Sequence, residues 1–201
     1  MESDCGLDLG ERTTTIHVRT ISGAQLGPQV FLGSVEPNEE RFNPPVTSNI
    51  GVTKPATGGF WTSSPTDEIS GWAKWSGGAN VITGERGMWV LTPDPAAEIA
   101  EIDSLDDLAH LHQVYGLSRD FDGGERRHWL DYGLMAEMYA GVRLTDEGQW
   151  RTRRTQPYNL YFWDCESTLW LRWAFVGVES KGVVRIGQKT ADIRLPISAY
   201  Q

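Results

Sequence analysis

Leu160-Tyr161-Phe162-Trp163-Asp164-Cys165-Glu166-Ser167-Thr168-Leu169-Trp170-Leu171-Arg172-Trp173 is an aromatic run with two carboxylates two residues apart in its middle. Read as a strand, it puts Asp164, Glu166 and Thr168 on one face and Trp163, Cys165 and Ser167 on the other, because side chains of extended backbone alternate. Two like charges about 7 Å apart among tryptophans are unfavourable unless water, a cation or a polar ligand covers them, since a buried carboxylate without partners costs several kcal/mol. The run therefore predicts a late strand in the wall of a cleft.

Working outward, Thr13 to Ile21 alternates like a strand and places His17 and Arg19 on one face. Gly23 to Thr57 is polar and broken by Pro28, Pro37, Pro44, Pro45 and Pro55, with a short strand at Val30-Phe31-Leu32; loops of this length usually cover or form binding sites. Gly58-Gly59 then turns into an aromatic and hydroxyl strand, Phe60-Trp61-Thr62-Ser63-Ser64, which Pro65 ends. Thr66 to Trp75 predicts a helix with Ile69, Trp72 and Trp75 at helical spacing. Met88 to Thr92 is a strand, Ile99 to Ile102 a strand-like connection, and Ser104 caps a helix whose first turn holds Asp106 and Asp107. A third helix spans Trp129 to Gly141 and runs into strand Val142-Arg143-Leu144, and the tail offers short strands at 182–186 and 193–196. Short strands with scattered helices indicate α+β architecture with a mainly antiparallel sheet and a few flanking helices.

With 201 residues the chain suits one domain: residues 1–12 read as a flexible end and 13–201 as the domain. No segment approaches the ~20 apolar residues that span a bilayer, and Met1-Glu2-Ser3-Asp4 lacks the basic-then-apolar order of a secretory signal, so a cytoplasmic protein without a membrane partner is expected. Cys5 and Cys165 make neither a disulfide framework nor the close pair of a zinc site, and no metal is expected. Asp120 to Glu125 lacks the ligand spacing of a calcium loop and reads as a turn. The formal charge of −9 argues against a protein whose main affinity is for a polyanion. Arg151, Arg153 and Arg154, beside Trp150, form its tight basic cluster, read either as a solvated loop or as a phosphate contact.

The order of a basic early strand, a hydroxyl strand and a late strand with acids at i, i+2 resembles the Arg/Ser/Glu branch of the ADP-ribosyltransferase superfamily. The matching residues are Arg19, Thr62-Ser63-Ser64, and Asp164 with Glu166. Gly58-Gly59-Phe60-Trp61-Thr62-Ser63, followed by the Trp72 and Trp75 helix, is similar to small bacterial and phage members. The hydroxyl run is Thr-Ser-Ser where that pattern has Ser-Thr-Ser, the first acid is Asp where Glu or Gln is usual, and His17 is placed as well as Arg19.

The resemblance implies a split antiparallel β-sheet or sandwich clasping NAD as substrate, in a toxin-like transferase whose acceptor is a protein or a nucleic acid, or in an NAD hydrolase. It further implies Glu166, Asp164 and Arg19 as catalytic residues, and His17, Gly59, Trp61, Thr62, Ser63 and Trp72 as residues that bind NAD. Glu166 would face the sugar cation, Asp164 would orient or deprotonate the acceptor, and Arg19 would support the strand or neutralise a phosphate. The same residues admit other readings. Trp72 and Trp75 can be core, and Asp164 with Glu166 a solvated edge. The tryptophans can also serve a non-catalytic interaction protein, such as an inhibitor or virion component, or a carbohydrate-binding module.

Overall fold

Ile99, Ala100 and Ile102 are fully buried, and the segment that carries them is an interior strand of the main sheet, not a connection. A strand covered on both sides loses the polar alternation by which strands are recognised, which is why Ile99 and Ile102 alone stood out. The computed structural model describes residues 17–186 except 68, 80 and 82, so the proposed flexible end at 1–12, the first residues of the Thr13 to Ile21 strand and the 193–196 strand lie outside the described residues.

The elements in order are β1 (Thr20–Ser22), α1 (Gly23–Leu26), β2 (Gln29–Gly33), β3 (Phe60–Thr62), β4 (Pro65–Thr66), β5 (Ile69–Ser70), α2 (Gly71–Gly78), β6 (Gly84–Pro93) and β7 (Glu98–Ile102). They continue with α3 (Leu105–Tyr115), β8 (Gly116–Asp120), β9 (Arg126–Leu130), α4 (Tyr132–Met138), β10 (Gly141–Leu144), α5 (Asp146–Thr152), β11 (Ser167–Trp170) and β12 (Phe175–Ile186). The fold is α+β. A five-stranded sheet runs β1-β7-β10-β11-β3, antiparallel except for the β7–β10 pair, and a three-stranded antiparallel sheet runs β12-β6-β2. The two sheets are stitched where Val30 and Ser63 exchange backbone hydrogen bonds of 2.8 and 3.1 Å. No described helix is long and apolar enough to cross a membrane.

Three clusters form the core. The largest packs Leu108, Leu111 and Tyr115 of α3 and Met135 of α4 against Val142, Leu144 and Leu169 of the main sheet, together with Leu160 and Trp163. A second joins Val30 and Leu32 to Ala73 of α2 and to Val184 and Ile186, and a third joins Leu26, Ile99 and Trp170. Ser104 caps α3 as expected, its hydroxyl accepting from the Asp107 N–H at 3.1 Å.

Several expectations shift. Among the described residues the early strand is Thr20–Ser22, so His17 and Arg19 precede it, although the Arg19 carbonyl still accepts from the Glu101 N–H at 2.9 Å. The helix expected from Thr66 starts at Gly71, because the Pro65 to Ser70 stretch folds into a β4–β5 hairpin and Ser70 supplies the cap. Trp129 and Leu130 belong to β9, and the third helix begins after the Asp131 cap.

His112 on α3 is 7% exposed and stacks on Tyr158 with ring centroids 4.1 Å apart, while its buried Nδ1 has no hydrogen-bond partner. Burial, and after it the charge of His128, lowers its pKa from 6.5 to about 4. The neutral ring thus favours folding fully above pH 6.5, and this contribution is lost as pH falls toward 4, by about 3 kcal/mol at most. His112→Phe is expected to flatten the acid limb of stability in urea titrations taken from pH 7 down to 4; an unchanged limb would show that acid unfolding starts elsewhere.

Candidate functional site

The Gly58-Gly59 turn sets β3 against β11. Gly59 has φ +75°, a conformation side chains rarely adopt, and a Cβ there would come 2.5 Å from Leu169 Cδ1 and displace that methyl. Beyond β3, Ser63 bonds β2 through its backbone, and its hydroxyl accepts from the Trp72 N–H at 3.3 Å. Ile69 adopts φ +87°, a strained conformation for a β-branched residue, within the hairpin that returns the chain to Ser70 and α2. That return brings Gly71 over Glu166, where a Cβ would lie 3.6 Å from Oε2.

The stretch before β11 is not a strand. Residues 160–166 form a turn closed by the Trp163 N–H donating to the Leu160 carbonyl at 2.9 Å, and Ser167 opens the strand. Leu160 and Trp163 are both buried at i, i+3 spacing while Tyr161 and Phe162 are exposed, so the strand reading of the run fails there for want of period-two alternation. Asp164 and Glu166 are consequently set apart by the turn, not by strand geometry. Asp164 pairs with Lys54 at 3.2 Å, and Lys54 lies 5.7 Å from the Trp61 ring centroid.

Glu166 is 5% exposed. The Ser64 N–H donates to its Oε2 at 2.9 Å, the Ser64 hydroxyl donates to Oε1 at 2.8 Å, and Arg143 Nε stands 3.7 Å from Oε1. Burial raises its pKa above the usual glutamate value, against the opposing pull of the Ser64 hydrogen bonds and the Arg143 guanidinium. Arg143 also donates to Glu101 at 3.0 Å, and Glu101, 4% exposed, accepts from Arg19 at 2.9 Å. Sheet register explains the chain of contacts: Glu101, Arg143, Thr168 and Thr62 are consecutive partners across β7, β10, β11 and β3. A polar row therefore crosses the face of the main sheet, and Arg143 within it approaches Glu166.

Next to this row a cavity of about 530 Å³ opens where the two sheets meet, within the usual range for small-ligand sites of about 300–1,000 Å³. Its wall carries the aromatic rings of Phe31, Phe60, Trp61, Trp72, Trp75 and Trp163, with Lys54 and Asp164 as its charged groups. Cys165 and Ser167, on either side of Glu166, also line it, as does Ser63 beside Ser64. Burial, and after it the carboxylates of Glu166 and Asp164, pushes the Cys165 thiol up to about 12, so it stays protonated and unreactive near neutral pH.

Gly59, Trp61, Thr62, Ser63, Trp72 and Asp164 thus line one cavity, whereas Glu166 is buried behind its wall, bonded to Ser64 and flanked by the lining residues Cys165 and Ser167. Thr62 takes part differently from the others. Its hydroxyl donates to Gln29 at 2.9 Å and accepts from Trp170 Nε1 at 2.8 Å, so it braces the wall from inside. Arg19 pairs with Glu101 and Asp103 and reaches Glu166 only through Glu101 and Arg143, and His17 is not in the cavity wall. The guanidinium next to Glu166 is Arg143, which sequence reading passed over. A lone charge inside each of two apolar strands, Val142 to Leu144 and Ile99 to Ile102, was the available signal. Compared with protein-family models, curated proteins and solved structures, the chain matches none.

Proposed function

We propose that the chain is an ADP-ribosyltransferase-like domain that binds NAD in this cavity and transfers its ADP-ribose to a macromolecule, or to water when no acceptor is present. One observation carries the reading: a buried glutamate, gripped by the backbone N–H and hydroxyl of Ser64 just beyond the neighbouring strand, directly behind the wall of a tryptophan-lined cavity. Cleavage breaks the bond between C1′ of the ribose and the nicotinamide nitrogen, and the ring leaves as neutral nicotinamide with the bonding electrons. The positive charge that develops on the sugar is stabilised by the Glu166 carboxylate, whose position is fixed beforehand by Ser64 and Arg143. An acceptor oxygen or nitrogen then bonds to C1′ and gives its proton to Asp164, the carboxylate in the cavity wall.

The cationic nicotinamide ring gains from the faces of Trp61 and Trp72, by about 0.5–2 kcal/mol. Lys54, released from Asp164, is the cation that can meet the diphosphate. Arg19 has a positioning role, holding Glu101 and through it Arg143. NAD is expected to raise the melting temperature of the wild type, since a ligand at a hundred times its Kd adds about 2.7 kcal/mol. Trp72→Ala is expected to shift the NAD titration about tenfold to weaker binding. No thermal shift at millimolar NAD, or a titration indifferent to Trp72, would count against the proposal.

A further inference from the structure

Outside the cavity wall, Trp150 is 80%, Tyr161 49% and Phe162 48% exposed. Among the described residues these are the exposed tryptophan, tyrosine and phenylalanine side chains, and all fall between residues 150 and 162. The same stretch holds three arginines and no Asp or Glu, in a chain of net charge −9. Both departures from the rest of the surface coincide.

The residues form one surface. Gln149 and Thr152 are buried, while Trp150 faces out from the last turn of α5, followed directly by its half-buried C-cap Arg153 and the exposed Arg154. The Leu160 N–H donates to the Thr152 carbonyl at 3.0 Å and fastens the following turn to that helix. The Arg153 guanidinium lies 5.9 Å from the Tyr161 ring centroid, and Tyr161 meets Phe162 edge-on at 5.5 Å. Arg151 is tied to Glu147 at 2.6 Å, but Arg153 and Arg154 pair with no carboxylate among the described residues, and Arg153 Nε is buried without a hydrogen-bond partner.

We propose that this surface binds single-stranded nucleic acid, with bases stacked on Trp150, Tyr161 and Phe162 and two phosphates held by Arg153 and Arg154. Exposed rings next to unpaired guanidinium groups are the combination that single strands use, because every base has a π-face and every linkage a charge. An acidic protein segment would satisfy the arginines but leave the flat rings unmatched. A duplex hides its base faces and needs a larger basic footprint than two free arginines. The acidic remainder of the chain limits affinity and favours transient binding, as suits a substrate. The turn that exposes Tyr161 and Phe162 continues at once into Trp163, Asp164 and Cys165 in the cavity wall, so a bound strand would lie at the cavity rim. As the acceptor of ADP-ribose the strand rests on the transferase reading; as a ligand of this surface it does not.

The test is fluorescence anisotropy of labelled oligothymidylate and oligouridylate, without NAD, on the wild type, Trp150→Ala and Arg154→Ala. Both side chains are exposed, and circular dichroism checks that the fold is kept. Binding by the wild type at low ionic strength is expected, weakened about tenfold by Trp150→Ala. The slope of log K against log salt is expected near about −1.4, falling to about −0.7 in Arg154→Ala. Trp150→Ala should leave acceptor-free nicotinamide release unchanged. Absence of binding at low salt, binding indifferent to both substitutions, or tighter binding of a glutamate–tyrosine copolymer through the same residues would overturn the proposal. Strand binding without nicotinamide release removes the transferase reading alone, and release without strand binding removes this one alone.

Discussion

Glu166→Gln is expected to slow nicotinamide release from NAD by about a hundredfold to a thousandfold, the usual cost of deleting a preorganised electrostatic group. The amide keeps the shape and can still accept from Ser64, but it offers no negative charge to the sugar cation. Stability should move the other way. The carboxyl's pKa is raised in the folded protein by burial, so its favourable contribution is complete below the ordinary value of 4.5 and is lost as pH rises through the higher folded value. At neutral pH the buried charge therefore works against folding, and Glu166→Gln should melt at the same temperature as the wild type or higher. Loss of activity together with loss of stability would point to a structural role for Glu166. Unchanged activity would remove it from the chemistry.

The largest loss of stability is expected for Trp170→Ala, about 3–5 kcal/mol by urea denaturation. Trp170 is fully buried, packs on Phe175 with ring centroids 4.3 Å apart, and donates its indole N–H to the Thr62 hydroxyl, which in turn donates to Gln29. Alanine leaves a cavity between the two sheets and removes the donor to the buried Thr62 hydroxyl, which keeps its bond to Gln29. The damage would reach the site, because Thr62 is followed by Ser63 and Ser64, so NAD binding should weaken in the same variant even where it remains folded. A loss of less than about 1 kcal/mol would mean that the sheets are held together by other contacts.

The elements legible in the sequence were those with local signatures. Ser104 before two aspartates marked the start of α3, and Gly58-Gly59 before an aromatic pair marked the turn into β3. What escaped reading depended on partners distant in the chain. Glu101 and Arg143 meet because β7 and β10 are parallel neighbours, an adjacency created only when the intervening α3 and α4 pack against the sheet. The turn at 160–166 was hidden because its residues are as aromatic as those of the strand it precedes, and only the burial of Leu160 with Trp163 separates the two. Helix α5 was missed because its inward residues, Gly148, Gln149 and Thr152, are not hydrophobic, whereas Trp150 faces out.

The central claim is that stretches near residues 60, 143 and 166 build one site around the ribose of NAD. Its most direct measurement is the crystal structure of Glu166→Gln with NAD, a variant expected to hold the dinucleotide uncleaved. Nicotinamide between Trp61 and Trp72, with C1′ of its ribose facing the residue-166 amide, is the predicted result; NAD bound elsewhere, or a cavity that stays empty in crystals soaked to saturation, would contradict it.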